Sequence, residues 1–235
     1  MDIVAEIVRS LEEDIARLAP GDRIPSEHDL MTRFGATRAS VRRAIEVLES
    51  RFLVRRSQGA GTFVNRRIDL VLAPDRAPSL HEAVAASGSV ARTFVIGTER
   101  RAAPEDIAAR LGAAAGAELT RLTRLGYIDD DPATCGEEWL APGALDVADL
   151  HLKTVESLTE VLRASGADPV RARSRVSTAF APPEVAERFT ARDPVPVWHI
   201  ETLTTDGRGG RPLMFSRAWT RQDRVRVVVE YEPVP

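Results

Sequence analysis

The sequence has few of the features that indicate an exported or membrane-bound protein. Cys135 is the only cysteine, so no disulfide can form within the chain, and a lone cysteine is more often an inert core thiol than a redox sensor. The apolar runs are short, well below the ~20 residues that a membrane-spanning helix needs. Residues 1–6 are acidic and amphipathic, unlike a signal peptide. These features predict a cytoplasmic protein that does not contact membranes.

The sequence also lacks the spacings that are typical of metal sites and of common enzyme motifs. It contains neither a Gly-x-Ser-x-Gly motif nor a phosphate-binding P-loop. The four histidines show no metal-ligand spacing with each other or with Cys135. The acidic run 129–131 precedes a proline, and such a run is more typical of a solvated turn than of a metal site. We therefore expect no metal, no cofactor and no catalytic residues.

Residues 20–64 show the pattern of a helix, a short turn, a second helix and a tight hairpin. Ser26 and Thr37 can each cap a helix, because a hydroxyl accepts hydrogen bonds from the free N–H groups of a first turn. The buried stripe of the second helix is predicted to consist of Val41, Ala44, Ile45 and Leu48. The hairpin turn holds Gly59 and Gly61, which allow positive φ and a close approach of the backbone to a phosphate or a minor groove.

The basic charge of the chain is concentrated in this segment. The whole chain has a net charge of −3, whereas residues 38–67 contain eight Arg and two Glu, a local charge of 8 − 2 = +6. Arg and Ser residues occupy the first turns of the second helix, off the apolar stripe and at the positive end of the helix dipole. Such a helix suits a DNA major groove, and the alternative of a merely solvated Arg-rich helix does not account for the capping and the Gly-rich hairpin together.

This segment closely resembles the winged helix-turn-helix domain of GntR-family transcription regulators. The resemblance rests on PGDRIPSE at 20–27, FGATR at 34–38, VRRAIEVLE at 41–49 and QGAGTFV at 58–64. It implies that the first turns of the second helix contact bases and phosphates and that the hairpin tip enters the minor groove; His28 stands where some relatives have Arg. The DNA-contacting residues that it implies are Ser26, His28, Thr37, Arg38, Ser40, Arg42, Arg43, Gln58, Gly59, Gly61 and Thr62.

The rest of the chain contains a weak internal repeat. Residues 66–78, with Pro74 and Pro78, are predicted to be a linker between a first domain at 1–65 and a second at 79–235. Two related units of strand, helix and hairpin follow, at about 93–140 and 171–219, and a last strand begins at Val225. We expect them to pair into one antiparallel sheet with helices outside, so that the protein has an α+β fold with a cleft between the halves.

This second part resembles the UTRA domain of the HutC subfamily, a ligand-binding fold shared with chorismate lyase. The resemblance rests on the helix starting at Ser79, on LTRLTRLGYIDDDP at 119–132, on ESLTEVL at 156–162 and on RPLMFSRAWTRQDRVRV at 211–227. SLHEAVAASG, RSRVSTAFA and RPLMFSRAWTRQDR look most like PhnF-type regulators of phosphonate uptake and breakdown. The resemblance implies a homodimer on double-stranded operator DNA that responds to a small-molecule effector, often an anion or a zwitterion.

An anionic effector requires arginines and hydroxyl groups that converge on one point. The candidate effector-binding residues are Ser79, Arg92, Arg121, Arg124, Glu138, Ser157, Arg175, Phe215 and Arg217. Family position favours Ser79, Arg124 and Ser157, and it places Glu138 and Phe215 near the rest of an effector. For any single arginine, a solvated ion pair is the commoner role. At Gly126 the sequence departs from many relatives, which have a second Arg there, so either the anion is held differently or the effector has less charge.

Two functions follow from these observations. The first is a ligand-responsive DNA-binding regulator, expected to be a repressor of a metabolic or uptake operon. The second is a small-molecule enzyme of chorismate-lyase-like fold that carries a vestigial DNA-binding module. Turnover of candidate ligands by the second domain would distinguish the enzyme from the regulator.

Overall fold

The computed structural model describes residues 2–57, 59–72, 80–145, 157–191 and 194–230. The chain divides into two compact units, residues 1–67 and residues 68–235. None of the helices within the described ranges is long and apolar enough to cross a membrane. Gln58 and Ser79 lie outside the described residues, so their predicted roles stay predictions.

The first unit is a three-helix domain with a hairpin. Its helices are α1 (Ile3–Ile15), α2 (Glu27–Phe34) and α3 (Arg38–Ser50), and the hairpin joins β1 (Val54–Ser57) to β2 (Gly61–Val64) in an antiparallel pair. The core contains the predicted stripe of α3, with all four side chains at most 1% exposed, and it also contains Ile7, Leu11 and Leu30. Burying these faces against one another is what holds three short helices together.

The second unit is built around a six-stranded antiparallel sheet with the order β4-β5-β6-β9-β8-β7. Its strands are β4 (Ala91–Ala102), β5 (Glu118–Ile128), β6 (Asp131–Leu140), β7 (Pro169–Phe180), β8 (Pro196–Asp206) and β9 (Pro212–Arg221). The order places the two predicted repeat units side by side, joined where β6 pairs with β9. The expected α+β fold with one antiparallel sheet is confirmed.

Different helices cover the two faces of this sheet. The repeat helices α5 (Glu105–Arg110) and α7 (Pro183–Arg188) pack on one face, against Phe215 and Cys135 among others. On the opposite face α6 (Leu158–Ala164) packs against Leu122 and Met214. We call the first the helix-packed face and the second the cavity face. Helix α4 (Leu80–Ala86) packs on a separate parallel pair of strands, β3 (Ile68–Leu72) and β10 (Val225–Val229).

Strand β3 changes the expected boundary between the domains. The predicted linker spans residues 66–78, but residues 68–72 form β3, which pairs in parallel with β10. Ile68 is 1% exposed and packs with Val84, Ile128 and Val225. The alternating apolar residues of this segment therefore belong to the core of the second unit, and the division falls between Arg67 and Ile68.

Candidate functional sites

Helices α2 and α3 are joined by a short turn whose ends are fixed by side-chain caps. The Ser26 hydroxyl accepts a hydrogen bond from the backbone N–H of Asp29, and the Asp29 carboxylate accepts one from the backbone N–H of Ser26. The Ser26 hydroxyl also donates to the Asp29 carboxylate at 2.6 Å, and this hydrogen bond, followed by the one from the Ser26 N–H, lowers the pKa of Asp29. Gly35 ends α2 in the left-handed conformation, and Thr37 then caps α3 by accepting from the backbone N–H of Ser40 at 3.2 Å.

The first turns of α3 present three arginines to solvent. The side chains of Arg38, Arg42 and Arg43 are 72%, 53% and 69% exposed, and they lie on the side of the helix away from the buried stripe. Glu27 lies between the first two: its carboxylate is 3.1 Å from Nε of Arg38 and 3.9 Å from Nε of Arg42. Exposed ion pairs of this kind are worth at most about 1 kcal/mol each, so the guanidinium groups remain available to a stronger anionic partner.

The hairpin turn has the backbone geometry that its glycines predict. Gly59 and Gly61 have φ values of 75° and 123°. A Cβ atom at Gly61 would lie 2.7 Å from Nε of Arg23, which packs beside the hairpin and pairs with Phe63 in an isolated β-bridge. Arg23 and the exposed Arg55 of β1 were not among the candidate DNA-contacting residues, although Arg55 lies within the basic segment that the sequence shows.

The remaining candidate residues of this unit lie at the same end of α2 and α3 or on the hairpin. His28 and Thr37 are exposed, and Ser26, Ser40 and Thr62 are half-buried. The Ser40 hydroxyl lies 3.0 Å from the Thr37 hydroxyl. We call the surface formed by Arg38, Arg42, Arg43 and the turn at Gly59 the basic surface. It combines the capped start of α3, the exposed arginines and the glycine-containing hairpin.

The second unit contains a cavity of about 160 Å³ on the cavity face of the sheet. Strands β5, β6, β8 and β9 supply its floor, and α4, α6 and β3 supply residues around it. Among the candidate effector residues, Arg124, Glu138 and Ser157 line it. Other lining residues, which were not among the candidates, are His81, Thr93, Thr134, Thr159, Arg171, Thr202, Ser216 and Thr220. A small number of charged groups among hydroxyls and apolar side chains is the usual composition of a small-molecule site.

Arg124 and Glu138 form an ion pair at the floor of the cavity. Nη1 of Arg124 donates to Oε1 of Glu138 at 3.2 Å, and the two side chains are 12% and 13% exposed. Burial raises the pKa of Glu138, and the nearby Arg124 guanidinium opposes that shift. Within the described residues, Oε2 of Glu138 is buried and has no hydrogen-bond partner.

Arg171 of β7 also lines the cavity, and its charge is not balanced in the same way. Its Nε and Nη1 atoms are buried without a hydrogen-bond partner in the described part of the chain, and no ion pair involves this side chain there. Burial lowers the pKa of Arg171. Strand β7 has an irregularity between Arg171 and Arg173, which places Arg171 opposite Thr204 and Arg173 opposite Leu203.

Two of the candidate arginines lie on the helix-packed face instead, where carboxylates already pair with them. Arg121 donates to Glu137 at 2.7 Å and to Glu99 at 2.6 Å. Arg217 donates to Glu201 at 3.0 Å and to Asp106 at 2.9 Å. Strand side chains alternate between faces, so Arg121 and Arg217 do not converge with Arg124.

Three further candidates are also separate from the cavity. Phe215 is 1% exposed and belongs to the core of the helix-packed face. Arg175 lies on that same face, beside Phe215. Arg92 is exposed and pairs with Asp130 at 3.5 Å. The structure therefore brings together three of the nine candidate effector residues, and Ser79 lies outside the described residues.

Gly126 explains why a second arginine is missing from the cavity floor. A Cβ atom there would lie 2.5 Å from Cγ2 of Thr134, a contact that real side chains do not make. The floor therefore has no room for a longer side chain unless Thr134 moves. The second arginine that lines the cavity is Arg171 of β7.

The three acidic residues before the proline take part in ordinary turn and ion-pair contacts. Asp129 accepts from the backbone N–H of Val90 at 3.1 Å, and Asp131 pairs with Arg224 at 3.2 Å. In the described ranges, no three His, Cys, Asp or Glu side chains are grouped as metal ligands.

The two units match two known domain families. The UTRA domain matches residues 86–226, more than half of the chain, and the family of bacterial regulatory proteins, gntR family, matches residues 3–64. The chain belongs to the UTRA-containing regulators of the gntR family. The resemblances to the GntR family and its HutC subfamily are thereby confirmed, and the chain is a DNA-binding transcriptional regulator with an effector-binding domain rather than an enzyme.

Individual relatives agree with this assignment. The HTH-type transcriptional regulator GgaR of Escherichia coli (strain K12) is 29% identical over 214 residues, which cover 91% of this chain and 84% of GgaR. MngR of the same organism, the mannosyl-D-glycerate transport/metabolism system repressor, is 41% identical over 61 residues, 25% of each chain. The crystal structure of PhnF from Mycobacterium smegmatis shares the fold, with a TM-score of 0.68 at 22% identity over 97% of this chain and 100% of that chain.

Proposed function

We propose that this regulator is a cytoplasmic repressor of a metabolic or uptake operon. A small anionic metabolite, such as a phosphonate or a phosphorylated compound, releases it from its operator. The observation that carries the proposal is that one chain combines the basic surface with a cavity in its second unit that is lined by charged side chains. One relative, MngR, is named as the repressor of a transport and metabolism system, which supports the same role here.

The basic surface supports direct contact with double-stranded DNA. The arginines of α3 project from the positive end of a capped helix, where Arg forks can reach guanine edges or phosphates. The hairpin turn brings exposed backbone close enough to enter a groove. We assign base contacts to Arg38 and Ser40, and phosphate or base contacts to Arg42 and Arg43.

The cavity supports an effector with negative charge. Arg124 and Glu138 form a polar floor, Ser157 also lines the cavity, and Arg171 adds a positive charge. Effector binding and operator binding must affect each other equally: if the effector weakens operator binding by some factor, the operator weakens effector binding by the same factor. The free energy of such a coupling is typically about 1–3 kcal/mol.

The edge strands of the sheet support a homodimer. Phe94 and Ile96 of β4, and Phe180 of β7, are 49%, 44% and 67% exposed. Phe94 and Ile96 lie close together at one edge of the sheet and Phe180 at the opposite edge, and a second copy that paired with either edge would cover the apolar side chains there. A dimer would place two α3 helices on a pseudo-palindrome, with half-sites about one helical turn or a multiple of it apart.

The test begins with a duplex selected from a random pool by the full-length protein. Affinity for that duplex at fixed salt is then compared among the native protein, Arg38→Ala and Arg9→Ala. Arg9 is an exposed arginine of α1 and controls for loss of charge. We expect Arg38→Ala to lose about 1–3 kcal/mol, roughly 5- to 150-fold, and Arg9→Ala to change affinity by less than about twofold.

Equal losses in the two variants would show that α3 is not the helix that reads DNA. For the second unit, a thermal-shift screen of small anions identifies ligands that stabilise the native chain. A ligand found in this way must weaken operator binding if the protein is a repressor that the effector releases. A ligand that strengthened operator binding would contradict the proposed release of the repressor by its effector.

A further inference from the structure

The charges that line the cavity are unequally balanced, and the imbalance indicates where an anion binds. Arg124 has its counter-charge in the protein, because Glu138 lies 3.2 Å away. Arg171 has none among the described residues: no carboxylate pairs with it, and two of its nitrogen atoms are buried without an acceptor. Burying donor groups of a cation without an acceptor is costly to a folded protein, so a half-buried arginine of this kind is typical of a group that a ligand completes.

The position of Arg171 supports a role in the same cavity as Glu138. Glu138 is on β6 and Arg171 is on β7. In the strand order β6-β9-β8-β7 these two strands are three positions apart, so their backbones are separated by about 14 Å. Both side chains line the cavity, from opposite sides. The floor between them carries the hydroxyls of Thr202 and Ser216, so a polar ligand would find hydrogen-bond partners along its length.

We propose that Arg171 binds the anionic group of the effector and that Glu138 accepts a hydrogen bond from a hydroxyl or amino group at the other end of the same molecule. This inference rests on the proposed function and specifies its ligand: a short acid that carries hydroxyl or amino groups, with either a phospho group or a carboxylate at the Arg171 end. The unpartnered Oε2 atom of Glu138 is the acceptor for the second group.

The size of the cavity limits the rest of the molecule. A volume of about 160 Å³ is close to that of an engineered protein cavity of roughly 150 Å³ that binds benzene, so the effector is a small metabolite with a short carbon skeleton. Leu70, Ile200 and Met214 supply the apolar contacts for that skeleton. A purely apolar acid would leave Oε2 of Glu138 without a donor, and a neutral polyol would leave Arg171 without an anion.

The anion site is tested with inorganic phosphate, using thermal stability of the full-length protein at constant ionic strength set with chloride. Phosphate is expected to raise the melting temperature of the native protein more than chloride does. Arg171→Met should weaken phosphate binding about tenfold or more, because it removes the charged donor, and it should fold well, because it removes an unbalanced buried charge. Arg171→Lys keeps the charge without the fork, and we expect it to bind phosphate with intermediate affinity.

Arg173→Met is the matched control, since Arg173 is on the same strand but on the helix-packed face. It should keep the phosphate response of the native protein. The assignment of Arg171 is overturned if the native protein shows no phosphate-specific response, if Arg171→Met responds as the native protein does, or if Arg173→Met loses the response equally.

The Glu138 end is tested with two probes that differ only in their hydroxyl groups, glycerol 3-phosphate and propyl phosphate. The native protein is expected to bind glycerol 3-phosphate at least about tenfold more tightly. Glu138→Gln should weaken this preference, because an amide oxygen is a weaker acceptor than a carboxylate, and, by freeing Arg124, it should strengthen the binding of inorganic phosphate. Equal affinities of the native protein for the two probes would overturn the role of Glu138.

These outcomes are independent of the proposed function as a DNA-binding regulator. Arg171→Met should bind the selected duplex as the native protein does when no anion is added. If the phosphate tests fail while the native protein still binds that duplex, only the ligand assignment is wrong. If the native protein binds no duplex selectively, the proposed function itself fails.

Discussion

Replacing Glu27 with glutamine should strengthen DNA binding while it weakens the fold of the N-terminal unit. In the free protein the Glu27 carboxylate is shared by Arg38 and Arg42, and it must give up these partners when phosphates approach. Its charge also repels the phosphates. Glutamine has nearly the same shape and no charge, so the two guanidinium groups would already be available to DNA.

The size of both effects follows from the geometry. Two exposed ion pairs are worth about 0.2–1 kcal/mol each, so their removal should strengthen DNA binding by about 0.4–2 kcal/mol, or about 2- to 30-fold. Glu27 is also the first residue of α2, where a negative charge is favoured by about 0.3–1 kcal/mol. The free energy of unfolding of the N-terminal unit should therefore fall by about 0.7–3 kcal/mol, the sum of the two contributions.

Fluorescence anisotropy with a labelled duplex measures the first effect, and chemical denaturation measures the second. The gain in affinity should be larger at 50 mM than at 200 mM salt, because exposed charges are screened. Glu13→Gln is the matched control, since Glu13 is an exposed acid of α1. If Glu27→Gln bound DNA no more tightly than Glu13→Gln, the arginines of α3 would not be the groups that meet the phosphates.

Two other predictions concern the hairpin and the core. Gly61→Ala should reduce DNA affinity by at least about fivefold with little change in the helices. The reason is that a φ of 123° is strained for alanine and that the new Cβ would displace Arg23. Unchanged affinity would show that the hairpin does not contact DNA. Cys135 is 3% exposed, and burial raises the pKa of its thiol. A thiol reagent at neutral pH should therefore label the native chain far more slowly than the denatured chain. Rapid labelling of the native chain would contradict this burial.

The N-terminal unit could be predicted from the sequence almost completely, because its signals are local. A capping residue, an apolar stripe and a terminating glycine each act within one or two helical turns. Thr37 caps α3 and Gly35 ends α2 as expected, and the stripe of α3 is buried. Here local preference and tertiary packing agree, so the sequence pattern alone is sufficient.

The cavity could be predicted only in part, because its residues are selected by strand register. Arg121 and Arg124 are close in sequence but lie on opposite faces of β5, which alternation alone would indicate. Arg171 is a different case. Strict alternation would place Arg171, Arg173 and Arg175 on one face, but the irregularity after Arg171 moves it to the cavity face while the other two stay on the helix-packed face. Nothing local in the sequence marks that extra residue.

The two faces of the sheet are covered by elements of different origin. The repeat helices α5 and α7 fill the helix-packed face, whereas the cavity is covered by elements outside the repeat, among them α6 and β3. Leu70 and Leu72 of β3 line the cavity, and the chain passes from Arg67, the last residue of the first unit, directly into this strand. A ligand that contacts β3 therefore acts on the segment that is covalently continuous with the DNA-binding unit.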